Sequence, residues 1–213
     1  ITYMSGEPET QPDLPDELPI FPLGGALLLP RAHLPLNIFE PRYIRMIDDA
    51  LRTHRMIGMV QPQSDEELYK IGCAGKIVSF EETDDNRYLI TLRGICRFKI
   101  KDEISSDVPY RRASISWCDY SNDLRNQDCP NLPKEEFFDL LKYYFEKHGL
   151  NVDWNLIKNT PDEKLISALT MICPFDVREK QALLEAPCCM SRASLMTTIL
   201  KISQHENNNK NNN

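Results

Sequence analysis

Residues 34–43 read Leu34-Pro-Leu-Asn-Ile-Phe-Glu-Pro-Arg-Tyr43, and two kinds of local structure meet inside this string. Its first half is a short apolar segment interrupted by proline, which removes a ladder donor and predicts an edge or bent strand. Its second half opens a helix. Pro41 suits a first helical turn, where the missing amide hydrogen costs nothing. From there Tyr43, Ile44, Ile47, Ala50 and Leu51 share one face to about His54, with Arg42, Arg45, Asp48, Asp49 and Arg52 largely on the other.

Working outward, Pro19-Ile-Phe-Pro-Leu and Ala26-Leu-Leu-Leu-Pro repeat the proline-broken apolar pattern and predict two more bent or edge strands. Downstream, residues 56–60, 71–82, 88–101 and 112–120 are enriched in β-branched residues with partial alternation, and Asp84-Asp85-Asn86 supplies a hairpin turn. These pieces predict a twisted, mostly antiparallel sheet closing toward a small barrel, with the helix at Pro41 capping an open end. After a polar linker at 121–132 the period becomes helical. Phe137, Leu140, Leu141, Tyr144 and Phe145 form an apolar stripe, and Gly149 is a plausible stop. Thr160-Pro-Asp-Glu163 predicts a capped helix start with a capping box, Asp176 a second start and Ser191 a third. The fold class is α+β: a barrel subdomain over 18–121 and a helical bundle over 122–203. An acidic, proline-bearing leader at 1–17 and an Asn-rich tail at 204–213 are expected to be disordered.

The chain has 213 residues and a formal charge of -7, a field that repels nucleic-acid phosphates and anionic lipid surfaces. Without a long apolar run or a basic leader, the expectation is a cytoplasmic protein with no membrane partner. Seven irregularly spaced cysteines and no C-x-x-C argue against a disulfide framework or a zinc site, and predict buried or inert thiols; the vicinal pair Cys188-Cys189 is the oddity. Phosphate-binding glycine loops, H-E-x-x-H and G-x-S-x-G are all absent, and the histidines at 33, 54, 148 and 205 are isolated. The reading is a non-enzyme with no cofactor.

Leu18-Pro-Ile-Phe-Pro-Leu23, Leu28-Leu-Pro30, Leu34 to Tyr43, Ile57-Gly-Met-Val60 and Arg93-Gly-Ile-Cys-Arg-Phe98 occur in an order that resembles the LON N-terminal domain family. Phe175 to Leu184, with Glu179-Lys-Gln-Ala-Leu-Leu-Glu185, and the helix around Arg192 to Leu200 resemble that family's helical second half. Phe39-Glu-Pro-Arg-Tyr43 looks more like the free-standing bacterial members than the domain fused to the full protease. The resemblance implies a PUA-like β pseudo-barrel followed by helices, recognition of unfolded or extended polypeptide, a possible link to a separate protease, and no proteolysis by this chain.

Candidate binding residues follow from chemistry and position. Phe39, Glu40, Arg42 and Tyr43 are placed to line a groove for an extended peptide, with a structural ion pair and helix cap as the alternative reading of Glu40 and Arg42. Arg93 and Arg97 alternate with Ile95 and Phe98 beside Gly94, giving either a ligand-facing basic strand or a solvated face. Phe137, Phe138, Tyr143, Tyr144 and Phe145 wrap too far round one helix to bury on a single side, which fits either a partly exposed patch for capture or self-association or a helix sandwiched between barrel and bundle. The leading expectation is a polypeptide-recognition module using strand-edge pairing and apolar pockets in the crevice between barrel and helices. An RNA-binding PUA-like module and a hydrolase with an unrecognised nucleophile are the alternatives, and a homodimer stays open.

Overall fold

The computed structural model of the protein describes residues 13–125, 129 and 132–210. Among these residues six strands are present: β1 (Glu17–Pro22), β2 (His33–Ile38), β3 (Met56–Val60), β4 (Ile71–Glu82), β5 (Tyr88–Ile104) and β6 (Arg111–Ser116). Pairing runs β2-β5-β4-β3-β1-β6 and then returns from β6 to β5, so five strands form a closed ring with β2 added outside it. The length of β5 makes this possible. Its first part pairs with β2 through Arg93 and its last part with β6 from Lys99, while β4 pairs with it from Tyr88 to Lys99. Of the described strand pairs only β1 and β3 run parallel.

β1 is not an edge strand, as its prolines suggested. Its ladder to β6 covers 17–20 and its ladder to β3 covers 20–22, so each proline sits in one ladder only and costs little. Residues 26–30 are not a strand either. They form a buried loop in which Leu27, Leu28 and Leu29 are at most 3% exposed, tied to β5 where Arg31 N–H donates to the Gly94 carbonyl and Gly94 N–H to Ala32. Gly94 permits this approach, because a Cβ there would stand 1.9 Å from the Leu29 carbonyl oxygen.

The helix α1 (Pro41–Leu51) buries Tyr43, Met46, Ile47 and Ala50 against Phe21, Ile38, Ile57 and Leu92. It stops short of His54: Thr53 turns its hydroxyl back to the Asp49 carbonyl, and Arg55 adopts a positive φ of 58°. The predicted turn between β4 and β5 is present, with Asn86 at φ 58°.

A 3₁₀ helix (Cys118–Leu124) leads into α2 (Lys134–Lys147), α3 (Trp154–Asn159), α4 (Asp162–Ile172), α5 (Val177–Glu185) and α6 (Cys189–Lys210). These helices share a core that includes Phe137, Leu141, Phe145, Ile166, Leu183, Met196 and Leu200. In the aromatic stripe Phe137, Tyr144 and Phe145 are buried, whereas Phe138 and Tyr143 are half-buried.

Several local expectations are corrected. Thr160 does not cap α4; it closes α3, its hydroxyl donating to the Leu156 carbonyl, and the capping box lies at Asp176 and Glu179. Both sites carry the same kind of sequence signal, and the unforeseen α3 took Thr160. α6 starts at Cys189, so Ser191 lies inside it. The expected unstructured tail is helical from 204 to 210, because extending a formed helix is cheap. Glu17 belongs to β1 and the Pro15 carbonyl accepts the Trp117 indole N–H, so the leader is ordered there; residues 1–12 lie outside the described residues. Cys129 and Cys189 are joined in a disulfide across 60 residues, which spacing alone gave no reason to expect.

Candidate polypeptide-binding surface

β2 pairs only with β5, whereas each of the other described strands has a neighbour on both sides. Its free side is therefore the sheet's open edge among the described residues. His33, Pro35 and Asn37 are exposed along it, while Leu34 and Leu36 are half-buried and Ile38 is buried. The two-residue period of an extended strand produces this division.

Each end of this edge has an apolar feature. Where β2 stops, Phe39 stands 62% exposed, with the Arg87 guanidinium 5.7 Å from its ring centroid. Where β2 begins, residues 30–33 face α4 across a cavity of about 390 Å³ lined by Pro30, Ala32, His33, Ala168, Met171 and Ile172. Ile172, at the last turn of α4, is 63% exposed. The cavity lies within the usual size of ligand clefts.

The residues singled out from sequence do not converge on one place. Glu40 and Arg42 form an ion pair at the start of α1, and the Arg42 guanidinium lies 4.6 Å from the Tyr43 ring centroid. Tyr43 itself is 7% exposed and edge-on to Phe21, and burial pushes its phenol above the ordinary value. Arg42 and Tyr43 border a second cavity of about 470 Å³ with Pro22, Pro62, Tyr110 and Arg111, separate from the crevice beside α4. Arg93 is exposed opposite His33, at the far end of β2 from Phe39.

Arg97 is corrected outright. Ile95 is the extra residue of a bulge opposite Ala74 and Gly75, so Arg93 and Arg97 point to opposite faces of the sheet. Arg97 is 2% exposed. Its guanidinium binds Asp123 through two 2.8 Å bonds and donates to the carbonyls of Leu184 and Ala186. It joins sheet to helices and does not lie on a solvated strand face. Ile172, Arg87 and the loop at 30–32 were missed, because each acquires its position only when distant segments pack.

Thiol chemistry is equally uneven. Cys73, Cys96 and Cys173 are buried, and desolvation raises their pKa, that of Cys96 and Cys173 to about 12. Exposed Cys188 is lowered by the Ser191 hydroxyl. Among the described residues no group of three or more His, Cys, Asp or Glu side chains is placed to hold a metal, and no helix is long and apolar enough to cross a membrane.

A strand ring with one open edge, followed by a helical layer that meets it at an apolar crevice, defines a mixed sheet-and-helix domain of the kind found at the N-termini of Lon proteins. The chain belongs to the family described as the ATP-dependent protease La (LON) substrate-binding domain, whose model matches residues 17–202. It is similar to Lon protease 2 of Sorangium cellulosum, 34% identical over 52% of this chain and 15% of that protein. It also resembles the Lon protease of Dictyoglomus thermophilum, 25% identical over 88% of this chain and 24% of that protein. The chain thus spans no more than about a quarter of the length of these relatives. The crystal structure of a Lon N-terminal domain protein from Xanthomonas campestris has the same fold, with TM-score 0.60 and 22% identity over 85% of this chain and 97% of that one. So does the N-terminal domain of the Mycobacterium avium complex Lon protease, with TM-score 0.57 and 14% identity over 87% of this chain and 98% of that one.

Proposed function

We propose that this chain is a non-catalytic polypeptide-recognition module, a PUA-like pseudo-barrel with a helical bundle, that takes extended segments of unfolded protein along the open edge of β2. The observation carrying this reading is the edge itself: the one described strand with a free side runs from the crevice at Ile172 to the exposed Phe39. An added strand gains main-chain hydrogen bonds there and seats apolar side chains at both ends.

Pro35 shapes what the edge accepts. Lacking an amide hydrogen, it leaves the β5 ladder intact if it faces the open side, and alternation then turns the His33 and Asn37 amides outward as donors. A proline in mid-edge also limits indefinite pairing between copies, a known protection of exposed strands. Recognition is therefore short and depends on side-chain seating as well as backbone. Glu40, Arg42, Tyr43 and Arg93 flank this path rather than form it, with Arg93 placed to meet an acidic residue near the crevice. Action in the cytoplasm, alone or beside a separate protease, belongs to the same proposal, and so does the absence of a cofactor.

The test is fluorescence anisotropy with a labelled, permanently unfolded polypeptide and, in parallel, a single-stranded RNA of similar length. Binding of the polypeptide, weakened at least tenfold by Asn37→Pro and by Phe39→Ala, supports the proposal. Undiminished binding in both variants, or RNA binding that falls steeply with salt, sinks it.

A further inference from the structure

Cys188 and Cys189 are neighbours in the chain, and the start of α6 divides them. Cys189 is the first residue of the helix and belongs to the helical core, where it is 4% exposed and bridged to half-buried Cys129. Cys188 stands one position before the helix, exposed, with its carbonyl accepting the Arg192 amide N–H. An accessible free thiol thus adjoins a disulfide that is largely shielded from solvent.

Reducing or forming a disulfide requires a thiolate to reach one of its sulfurs. A thiol from solvent has poor access to this bridge, whereas Cys188 is tethered beside it. The Cys129 and Cys189 Cα atoms are 5.4 Å apart and consecutive Cα atoms about 3.8 Å, so Cys129 and Cys188 are separated by no more than about 9 Å. Bridging needs a Cα separation of about 4.4–6.8 Å, which a shift of at most roughly 2–3 Å supplies. That shift gives up the bond from the Arg192 amide to the Cys188 carbonyl, at a helix end, where opening costs least.

The other free thiols are not equivalent. Cys73, Cys96 and Cys173 are buried with raised pKa, and Cys118, although exposed, sits between Trp117 and Asp119. The Cys188 Sγ lies 3.3 Å from the Ser191 hydroxyl, which with the Ser191 and Met190 backbone favours the thiolate, the attacking form.

We propose that Cys188 is a thiol–disulfide exchange site through which low-molecular-weight thiols of the glutathione class reach the buried Cys129–Cys189 bridge. The Cys188 thiolate attacks the Cys129 sulfur, the Cys129–Cys189 bond breaks, and Cys189 leaves as a thiolate that takes up the proton Cys188 released. The resulting Cys129–Cys188 isomer includes a solvent-facing sulfur. One small thiol attacks that sulfur and frees Cys129; a second attacks the mixed disulfide and frees Cys188, departing as the small disulfide. Two small thiols are oxidised to one disulfide while the bridge is reduced to two thiols, and the reverse sequence closes it. The tie between Cys129 and the start of α6 then follows the surrounding thiol–disulfide balance.

Reduced glutathione serves as the probe on the full chain, with loss of the bridge followed by mass spectrometry of alkylated samples. Cys188→Ser should slow reduction of the folded protein by roughly tenfold or more, and the difference should largely disappear in urea, where the bridge is open to direct attack. Serine is a favoured residue before a helix, so this variant keeps its fold. Cys189→Ser tests the geometry alone: treated with oxidised glutathione, it should form a Cys129–Cys188 disulfide. Equal reduction rates for the wild type and folded Cys188→Ser overturn the proposal, and so does a Cys189→Ser protein that yields only glutathione adducts at Cys129 and Cys188.

Discussion

Arg97 on β5 and Asp123 in the 3₁₀ helix lock together with both side chains at or below 5% exposure, Nε and Nη2 each 2.8 Å from a separate carboxylate oxygen. The Arg97 guanidinium is also 4.3 Å from the Tyr120 ring centroid and bonded to carbonyls at the end of α5 and just beyond. One side chain thus fixes sheet, connector and helices in a single arrangement. Desolvation works against a charge buried so deeply, yet the Asp123 bonds and field prevail and hold the Arg97 pKa above its ordinary value.

Removing one partner is therefore far worse than removing both. Arg97→Met should cost about 3–5 kcal/mol by leaving Asp123 buried and unpaired, whereas Arg97→Met with Asp123→Leu should recover much of that loss. Urea unfolding with an unchanged m-value is the measurement.

Phe39 and Tyr43 lie four residues apart and should separate cleanly. Phe39→Ala should change stability by no more than about 0.5 kcal/mol while weakening polypeptide capture, since the ring is 62% exposed. Tyr43→Ala should cost about 3 kcal/mol because it empties a buried site beside Phe21 and Met46. Paired denaturation and anisotropy curves distinguish the two roles.

The Cys129–Cys189 bridge closes a loop of 60 residues in sequence separation, for which chain entropy gives about 4 kcal/mol of stabilisation as an upper figure. Cys129→Ser should lower the unfolding midpoint, and a thiol reductant should lower that of the wild type but not that of the variant. A midpoint insensitive to both would show that the unfolded chain is not constrained there.

Tyr110 donates to Asp49 at 3.0 Å, and burial, then this bond, raise its pKa to about 12. The folded state therefore holds the phenolic proton more tightly than the unfolded chain. That stabilisation is complete below about pH 10 and is lost as pH rises through about 12. Tyr110→Phe should flatten this part of the alkaline unfolding profile, read by circular dichroism against pH.

A Cβ at residue 94 has nowhere to go. Gly94→Ala should cost roughly 3 kcal/mol or more, because the obstacle is the Leu29 backbone carbonyl, not a movable side chain. Loss of slow-exchanging amides at Arg31 and Gly94 is the local signature.

The sequence by itself determined what depends on short spacing. Alternation and β-branched content located β3 to β6, Asp84-Asp85-Asn86 located the hairpin, and Pro41 with the stripe from Tyr43 to Ala50 located α1. The ordered strings around Leu34 to Tyr43 and Arg93 to Phe98 were enough to indicate the family. Tertiary structure decided the rest, since these features arise between segments that local pattern cannot relate. The Ile95 bulge reversed the face of Arg97, ring closure left β2 with the open edge, and α3 took the Thr160 cap. Phe39 ended exposed and Tyr43 buried although both are aromatic residues of one short string. A strand or helix period is written within a dozen residues, whereas burial, charge partnership and a free edge are set by what packs against them from far along the chain.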